Sequence, residues 1–216
     1  MVGRAGATTG RRYEEARRRT VRRRRLRWGS AAILAILIIA AIIGLPLIKK
    51  GIQELTLPLP SEYQGIIREQ AADKKLDPAL IAAVIYAETR FRPRTSSTGA
   101  EGLMQMEPAT ALFLAHKSGA TTFTTADLGT PEVNIAYGSY YLRYLLNEFG
   151  HNEVLALAAY NGGETNVQRW ESSLPSGQSF AVSDIPFPQT RAYVSKVLSA
   201  QRDYRRKYAV QLGYRQ

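Results

Sequence analysis

The stretch DPALIAAVIYAETRFRPRTSSTGAEGLMQMEPATA, residues 77–111, holds the signals that decide the fold. Asp77 followed by Pro78 pairs an N-cap residue with a proline at the first helical position. The residues that follow, Ala79 to Ala87, are almost entirely apolar and lead to a single carboxylate, Glu88. A loop broken by Pro93, Gly99 and Gly102 comes next, and Pro108 opens a second helix, ATALFLAHK, which Gly119 can end.

Working outward, the same punctuation recurs. Ser61 reads as the N-cap of a helix through about Lys74. Thr130-Pro131 opens a long helix through Phe149, closed by Gly150. Asn152 caps a helix through Tyr160 that stops at Asn161-Gly162-Gly163, and a short helix covers about Glu164 to Trp170. A loop rich in Ser, Pro and Gly precedes a last helix from near Thr190, and RDYRRKYAVQLGYRQ, residues 202–216, reads as a frayed helix end. No segment alternates with period two over strand length, so the chain is expected to be all-α.

The N-terminal part has a different character. The chain carries a net charge of +11, yet residues 1–28 contain eleven arginines against two glutamates, so the remainder is nearly balanced. Gly29–Ile48, GSAAILAILIIAAIIGLPLI, is uncharged and would extend about 30 Å as a helix, enough to cross a bilayer. A buried core helix or a cleaved signal peptide are the alternatives; the length and the elaborate basic flank disfavour both. RRRRLRW precedes this span and only KK follows it, which places the N-terminus in the cytoplasm and residues 51–216 outside. Membrane topology and anionic lipid thus account for the arginines, and nucleic acid is not an expected partner. The expected organisation is a basic tail (1–28), a transmembrane helix (29–48), a proline-stiffened linker (49–60), a catalytic domain (61–208) and a short tail (209–216).

The chain has no cysteine and two histidines. Disulfides, Cys-type zinc sites and thiol catalysis are excluded, and no histidine-rich metal cluster can form. The chemistry therefore falls to other groups. Ile81, Val84 or Ile85, and Glu88 share one helical face. A carboxylate on an apolar stripe is desolvated, its pKa rises, and it becomes a candidate general acid. The bland alternative pairs Glu88 with Arg90 or Arg92, or leaves it at a solvent-facing helix end. In the loop, Gly102 permits close approach of the backbone to a ligand, and Gln105 can both donate to and accept from sugar groups. Tyr160 and Asn161 stand at a helix end where a cleft can form. Tyr193 shares a face with Val197, a position equally suited to a core residue.

In order along the chain, Glu88-Thr89, Gly102-Leu103-Met104-Gln105 and Ala159-Tyr160-Asn161-Gly162-Gly163 resemble the soluble-lytic-transglycosylase catalytic domain of the lysozyme superfamily. NIAYGSYYLRYLL (134–146) and QTRAYV (189–194) support the resemblance, which covers about residues 61–205. It implies a lysozyme-like helical domain with an active-site cleft. It also implies that Glu88 is the sole catalytic acid and base, that Ser96 contacts sugar, and that Gln105 and Tyr160 line the site near the scissile bond. Asn161 and Tyr193 match motif positions. Three departures stand out. Thr89 replaces the usual serine, the loop from Glu88 to Gly99 is one residue short, and Glu107 stands where the family often has Met or Thr. Glu107 reads first as a helix N-terminal acid, favourable with the helix dipole, and secondly as a carboxylate near the cleft.

The resemblance implies cleavage of the β-1,4 bond between N-acetylmuramic acid and N-acetylglucosamine in peptidoglycan, forming 1,6-anhydromuramoyl ends without metal or cofactor. The expected partners are glycan strands and, through residues 29–48, the bilayer; the location is the cell membrane with the catalytic part extracytoplasmic. The rivals are a muramidase using a second acid (Glu107, Glu101 or Asp184) and a non-catalytic wall-binding protein.

Overall fold

A computed structural model of the chain describes residues 57–175 and 177–214. The expected tail, span and first part of the linker, residues 1–56, lie outside the described residues. Among the described residues seven α-helices follow one another: α1 (Ser61–Lys74), α2 (Pro78–Thr89), α3 (Pro108–Ser118), α4 (Pro131–Glu148), α5 (Glu153–Gly162), α6 (Glu164–Ser172) and α7 (Pro188–Lys207). Short 3₁₀ turns at Thr125–Gly129 and Val182–Asp184 connect them. Among the described residues there is no strand, only an isolated antiparallel bridge between Glu101 and Met106. Nor is any described helix long and apolar enough to cross a membrane.

The apolar run of α2 explains its position. From Ala79 to Ile85 each residue is at most 1% exposed, as expected for a helix with no polar face. Asp77 caps it, its Oδ1 accepting from the Ala79 N–H at 3.0 Å. The helix packs mainly against α7 and secondarily against α1; α5 joins α4, α6 and α7 around the same core. A smaller apolar cluster, Met106, Ala111, Leu114 and Leu128, lies under α3. Tyrosines 137, 140, 141, 144 and 160 pack against this smaller cluster, and Tyr141, Tyr144 and Tyr160 also pack against the main core. These tyrosines bridge the two clusters.

The loop from Arg94 to Met106 is fixed largely by one buried side chain. Asn134 on α4 accepts from the Met104 N–H at 2.8 Å and donates to the carbonyls of Glu101 at 2.9 Å and Leu128 at 3.0 Å. Gly102 adopts φ 74°, and a Cβ there would lie 2.2 Å from Asn134 Nδ2. The close approach that Gly102 makes within the protein is to Asn134.

Several boundaries differ from expectation for identifiable reasons. Pro60, not Ser61, occupies the cap position of α1, and no side-chain cap bond forms. Proline's fixed φ suits the entry, so Ser61 becomes the first helical residue. α7 starts at Pro188, two residues earlier than expected. As far as Tyr214 the C-terminal segment is docked, not frayed. After Lys207 the chain turns, Leu212 is buried, and the Tyr214 hydroxyl bonds to Asp77. The end of the linker is likewise docked: the hydroxyls of Tyr204 and Tyr208 donate to the carbonyls of Pro58 at 2.6 Å and Leu57 at 2.7 Å.

Replacing Asn134 with Leu keeps the volume and strands one N–H and two carbonyls. At about 1 kcal/mol or more per orphaned group, the loss is about 3 kcal/mol or more. The thermal midpoint should then fall by about 6–12 °C. A midpoint within 1 °C of the unaltered chain, read by far-UV circular dichroism, would show that Asn134 does not hold the loop.

Candidate active site

Glu88 occupies the last turn of α2, where the buried helix reaches a cleft of about 280 Å³. The loop supplies one wall with Ser96, Thr98 and Ala100. Gln105, Met106 and Glu107 form the floor, continued by Thr110 on α3. Tyr141 of α4 and the end of α5, with Tyr160 and Asn161, close the other side. Of the residues singled out from sequence, Glu88, Ser96, Gln105, Glu107, Tyr160 and Asn161 are thus brought together. Tyr193 is not in the lining; it is buried behind Glu88.

Local hydrogen bonds determine how each group is presented. Thr89 is buried, and its hydroxyl donates to the carbonyls of Ile85 at 3.2 Å and Leu103 at 2.8 Å. It ties the acid-bearing helix to the loop, which explains why a hydroxyl residue follows Glu88. Gln105 sits at φ 49°, and its amide N–H group donates to the carbonyls of Arg94 at 2.8 Å and Gly102 at 2.9 Å. Its donor capacity is therefore largely spent inside the protein, leaving the amide oxygen for a ligand. The Tyr160 hydroxyl also points inward, donating to the Met104 carbonyl at 2.9 Å. Ser96 Oγ accepts from the Ala100 N–H at 2.9 Å and lies 2.9 Å from Thr98 Oγ1, so a two-hydroxyl pair faces the cleft.

Burial raises the Glu88 pKa above 4.5; the Tyr193 hydroxyl, Lys196 and Arg94 oppose that rise. The Tyr193 hydroxyl is fully buried. The Glu88 carboxylate is its electrostatic counterpart. Burial and the Glu88 charge push the phenols of Tyr160 and Tyr193 well up, so both stay neutral. Two cations, Arg94 and Lys196, gather at this end of α2. Arg94 donates to the Glu88 carbonyl at 3.0 Å, and Lys196 donates to the Ala87 carbonyl at 2.8 Å while lying 5.3 Å from the centre of the Tyr86 ring. Both cations complement the negative end of α2 while facing its carboxylate.

The candidate second acids are differently placed. Glu107 is exposed at the N-cap of α3, makes no cap bond, and is absent from the charges that shift Glu88. Glu101 accepts from Thr95 Oγ1 at 2.8 Å, and Asp184 accepts from the Ala181 N–H at 2.8 Å; neither lines the cleft. Among the described residues no cluster of three or more His, Asp and Glu could hold a metal ion.

Residues 65–180 match the family model described as the transglycosylase SLT domain. The chain belongs to this family. Soluble lytic murein transglycosylase from Escherichia coli strain K12 is 32% identical over 151 residues, covering 68% of this chain and 23% of the relative. A membrane-bound lytic murein transglycosylase C from Yersinia pestis is 31% identical over 170 residues, covering 67% of this chain and 47% of that protein. Among solved structures, the 70 kDa soluble lytic transglycosylase from Escherichia coli aligns with TM-score 0.67 at 30% identity, over 76% of this chain and 28% of that one. An inactive mutant of the lytic transglycosylase Slt from Pseudomonas aeruginosa aligns with TM-score 0.64 at 34% identity, over 69% of this chain and 25% of that one. The chain spans about a quarter of the length of the soluble relatives. The helical body is therefore that of an SLT domain, and the cleft with Glu88 is its candidate active site.

Sequence reasoning missed four contributors to the SLT site. Asn134 and Tyr141 lie inside the string 134–146 without an individual role there, and Arg94 and Lys196 carry no individual motif. Two were accessible by periodicity: Tyr141 follows Asn134 by seven residues on one helical face, and Lys196 follows Tyr193 by three. Lys196 also yields a test. Replacing it with Met keeps the stem over Tyr86 and removes the charge that holds the Glu88 pKa down. Glu88 then stays protonated to higher pH, so the alkaline limb of a pH–rate profile that needs the acid form should move up, and Lys196→Arg should restore it. An unmoved limb in the Met variant would dissociate Lys196 from the acid.

Proposed function

We propose that this SLT-family chain cleaves the β-1,4 linkage between N-acetylmuramic acid and N-acetylglucosamine in peptidoglycan by intramolecular transglycosylation. The observation that supports this best is a single desolvated carboxylate, Glu88, in a cleft whose other lining carboxylate among the described residues, Glu107, is exposed. A glycosidase working with two acids places both around the scissile bond, whereas one acid suffices when the substrate supplies the nucleophile.

In this reading Glu88 gives its proton to the glycosidic oxygen as the C1–O bond breaks, and the 2-acetamido oxygen stabilises C1. The Glu88 carboxylate then takes the proton of the same sugar's 6-hydroxyl while O6 bonds to C1. The catalyst returns protonated and no water is consumed. Burial supports the first half by keeping the acid form available, and the neighbouring cations support the second by tolerating the carboxylate. The neutral hydroxyls of Tyr160 and Tyr193 keep the surroundings free of competing charge. The Gln105 amide oxygen and the Ser96–Thr98 hydroxyls supply the polar contacts for the sugar ring, alongside Asn161.

The same proposal includes the anchor. Gly29–Ile48 would cross the membrane once, with residues 1–28 cytoplasmic and the SLT body outside. The arginine-rich flank and the uncharged run support it. Protease added to intact cells or protoplasts should remove the SLT body; full protection on an accessible wall face would end this topology.

Glu88→Gln should fold and lose activity by at least ~100-fold, while Glu107→Gln should change it far less. Equal losses would favour a two-carboxylate hydrolase. The products discriminate further. A positioned intramolecular hydroxyl can reach an effective molarity of about 10⁵ M or more, far above that of water. New muramoyl ends should therefore resist borohydride and be lighter than hydrolytic ends by one water. Reducible ends that incorporate labelled water oxygen would make the chain a hydrolase.

A further inference from the structure

An aromatic strip adjoins the cleft at Thr110 and Tyr141. Two neighbouring helices each give one residue to the cleft and then, a turn further on, an aromatic ring. On α3, Phe113 follows the cleft residue Thr110; on α4, Tyr144 follows Tyr141. Tyr141 and Tyr144 are stacked nearly parallel at 12° with ring centres 6.2 Å apart, and Phe113 meets Tyr144 edge-on at 5.5 Å. Phe113 is nevertheless 46% exposed, an apolar ring held in water beside the cleft.

One more turn along α3 stands Lys117. Its ammonium lies 5.1 Å from the centre of the Tyr144 ring and 5.8 Å from that of Phe113. It is exposed, and no carboxylate forms a salt bridge with it among the described residues. On the opposite side the Tyr144 hydroxyl lies 3.4 Å from both oxygens of Glu164, the residue after the cleft residue Gly163. The strip therefore presents, in order, an aromatic surface with a hydrogen-bonding carboxylate beside it, then a cation. From Thr110 to Lys117 it runs about 10 Å along the helix axis.

The geometry points to a distal subsite, formed by Phe113, Tyr144, Glu164 and Lys117, that takes a further sugar of the strand on the aromatic surface and a carboxylate borne by that strand at Lys117. The order of chemistries matches a carboxylate-bearing polysaccharide. The apolar C–H face of a pyranose covers an aromatic ring, its hydroxyls meet Glu164, and an anionic substituent meets the ammonium. Adjacency to the cleft residues Thr110, Tyr141 and Gly163 makes the occupant the strand already held at Glu88. This inference rests on the peptidoglycan reading. In peptidoglycan the carboxylate comes either from a stem peptide or, where the peptide is missing, from the lactyl group of muramic acid.

The test uses the full chain with Phe113→Ser and Lys117→Gln, both at exposed positions. On long glycan strands Phe113→Ser should raise KM about five- to tenfold, and Lys117→Gln about three- to fivefold at low salt, with kcat unchanged. On the shortest oligosaccharide the chain cleaves, both variants should match the unaltered chain, which also excludes misfolding. An unchanged KM on long strands, or an equal effect on short and long substrates, overturns the subsite. Comparing strands with intact and enzymatically removed stem peptides locates the carboxylate: a Lys117 effect confined to intact strands assigns it to the peptide, and one on stripped strands assigns it to the lactyl group. No Lys117 effect on either refutes the carboxylate contact. If the unaltered chain cleaves nothing, the peptidoglycan reaction fails independently. The subsite is then judged by strand binding to the Glu88→Gln chain, where both further substitutions must still weaken retention.

Discussion

The Asn134 side chain, wholly buried between α4 and the loop, satisfies three backbone groups from two separate segments. It stands in for the secondary structure that the loop lacks. With Glu101, Met104 and Leu128 held, the carbonyl of Leu103 is in place for Thr89 and that of Met104 for Tyr160. The Gln105 backbone can then occupy its left-handed conformation, an unfavourable state for a residue with a side chain. Gly102 is the sterically enforced counterpart of the same arrangement, because any side chain there would collide with Asn134. An active-site wall of irregular backbone is thus made rigid by one amide.

That rigidity matters because the acid is expensive to keep. A helix buried all round delivers a carboxylate into a site where the ionised form is poorly solvated. The surrounding groups offset the penalty only in part: two cations engage main-chain carbonyls of the same helix end, and a buried phenol faces the carboxylate. Because the native pKa is raised, the native state holds a proton that the unfolded chain releases above about pH 4.5. Stability attributable to Glu88 is therefore present at low pH and declines as pH rises through the native pKa.

Much of the fold was legible in the sequence because its signals are local. Asp77-Pro78, Glu107-Pro108 and Thr130-Pro131 mark helix starts whatever the tertiary context, and Asn152 caps through its own side chain. Glu88 was legible for the same reason, as a lone charge ending an apolar run. The rest depends on long-range contacts. Nothing near Gly102 in sequence reveals that Asn134 will sit against it, and nothing near Tyr214 reveals that it will bond to Asp77. The C-terminal segment looked frayed because its stretch of basic residues gives no sign of the buried partners that Tyr204 and Leu212 find. Gln105 lines the cleft, yet its amide donors are engaged by the loop, which residue type alone does not disclose.

The pairing of α2 with α7 has a consequence for how the protein comes into being. Lys196 reaches Ala87 across 109 positions of sequence, Tyr214 reaches Asp77 across 137, and Tyr208 reaches Leu57 across 151. Contacts so distant along the chain close late, because the loop between them must be ordered first. A chain emerging from its N-terminus can form α2 early but cannot bury it until the final helix arrives. Until then Glu88 lacks Tyr193 and Lys196, the groups that set its proton affinity. The unfinished chain carries the Glu88 carboxyl without the surroundings that set its proton affinity, so the proposed cleavage would begin only once α7 has been made and docked.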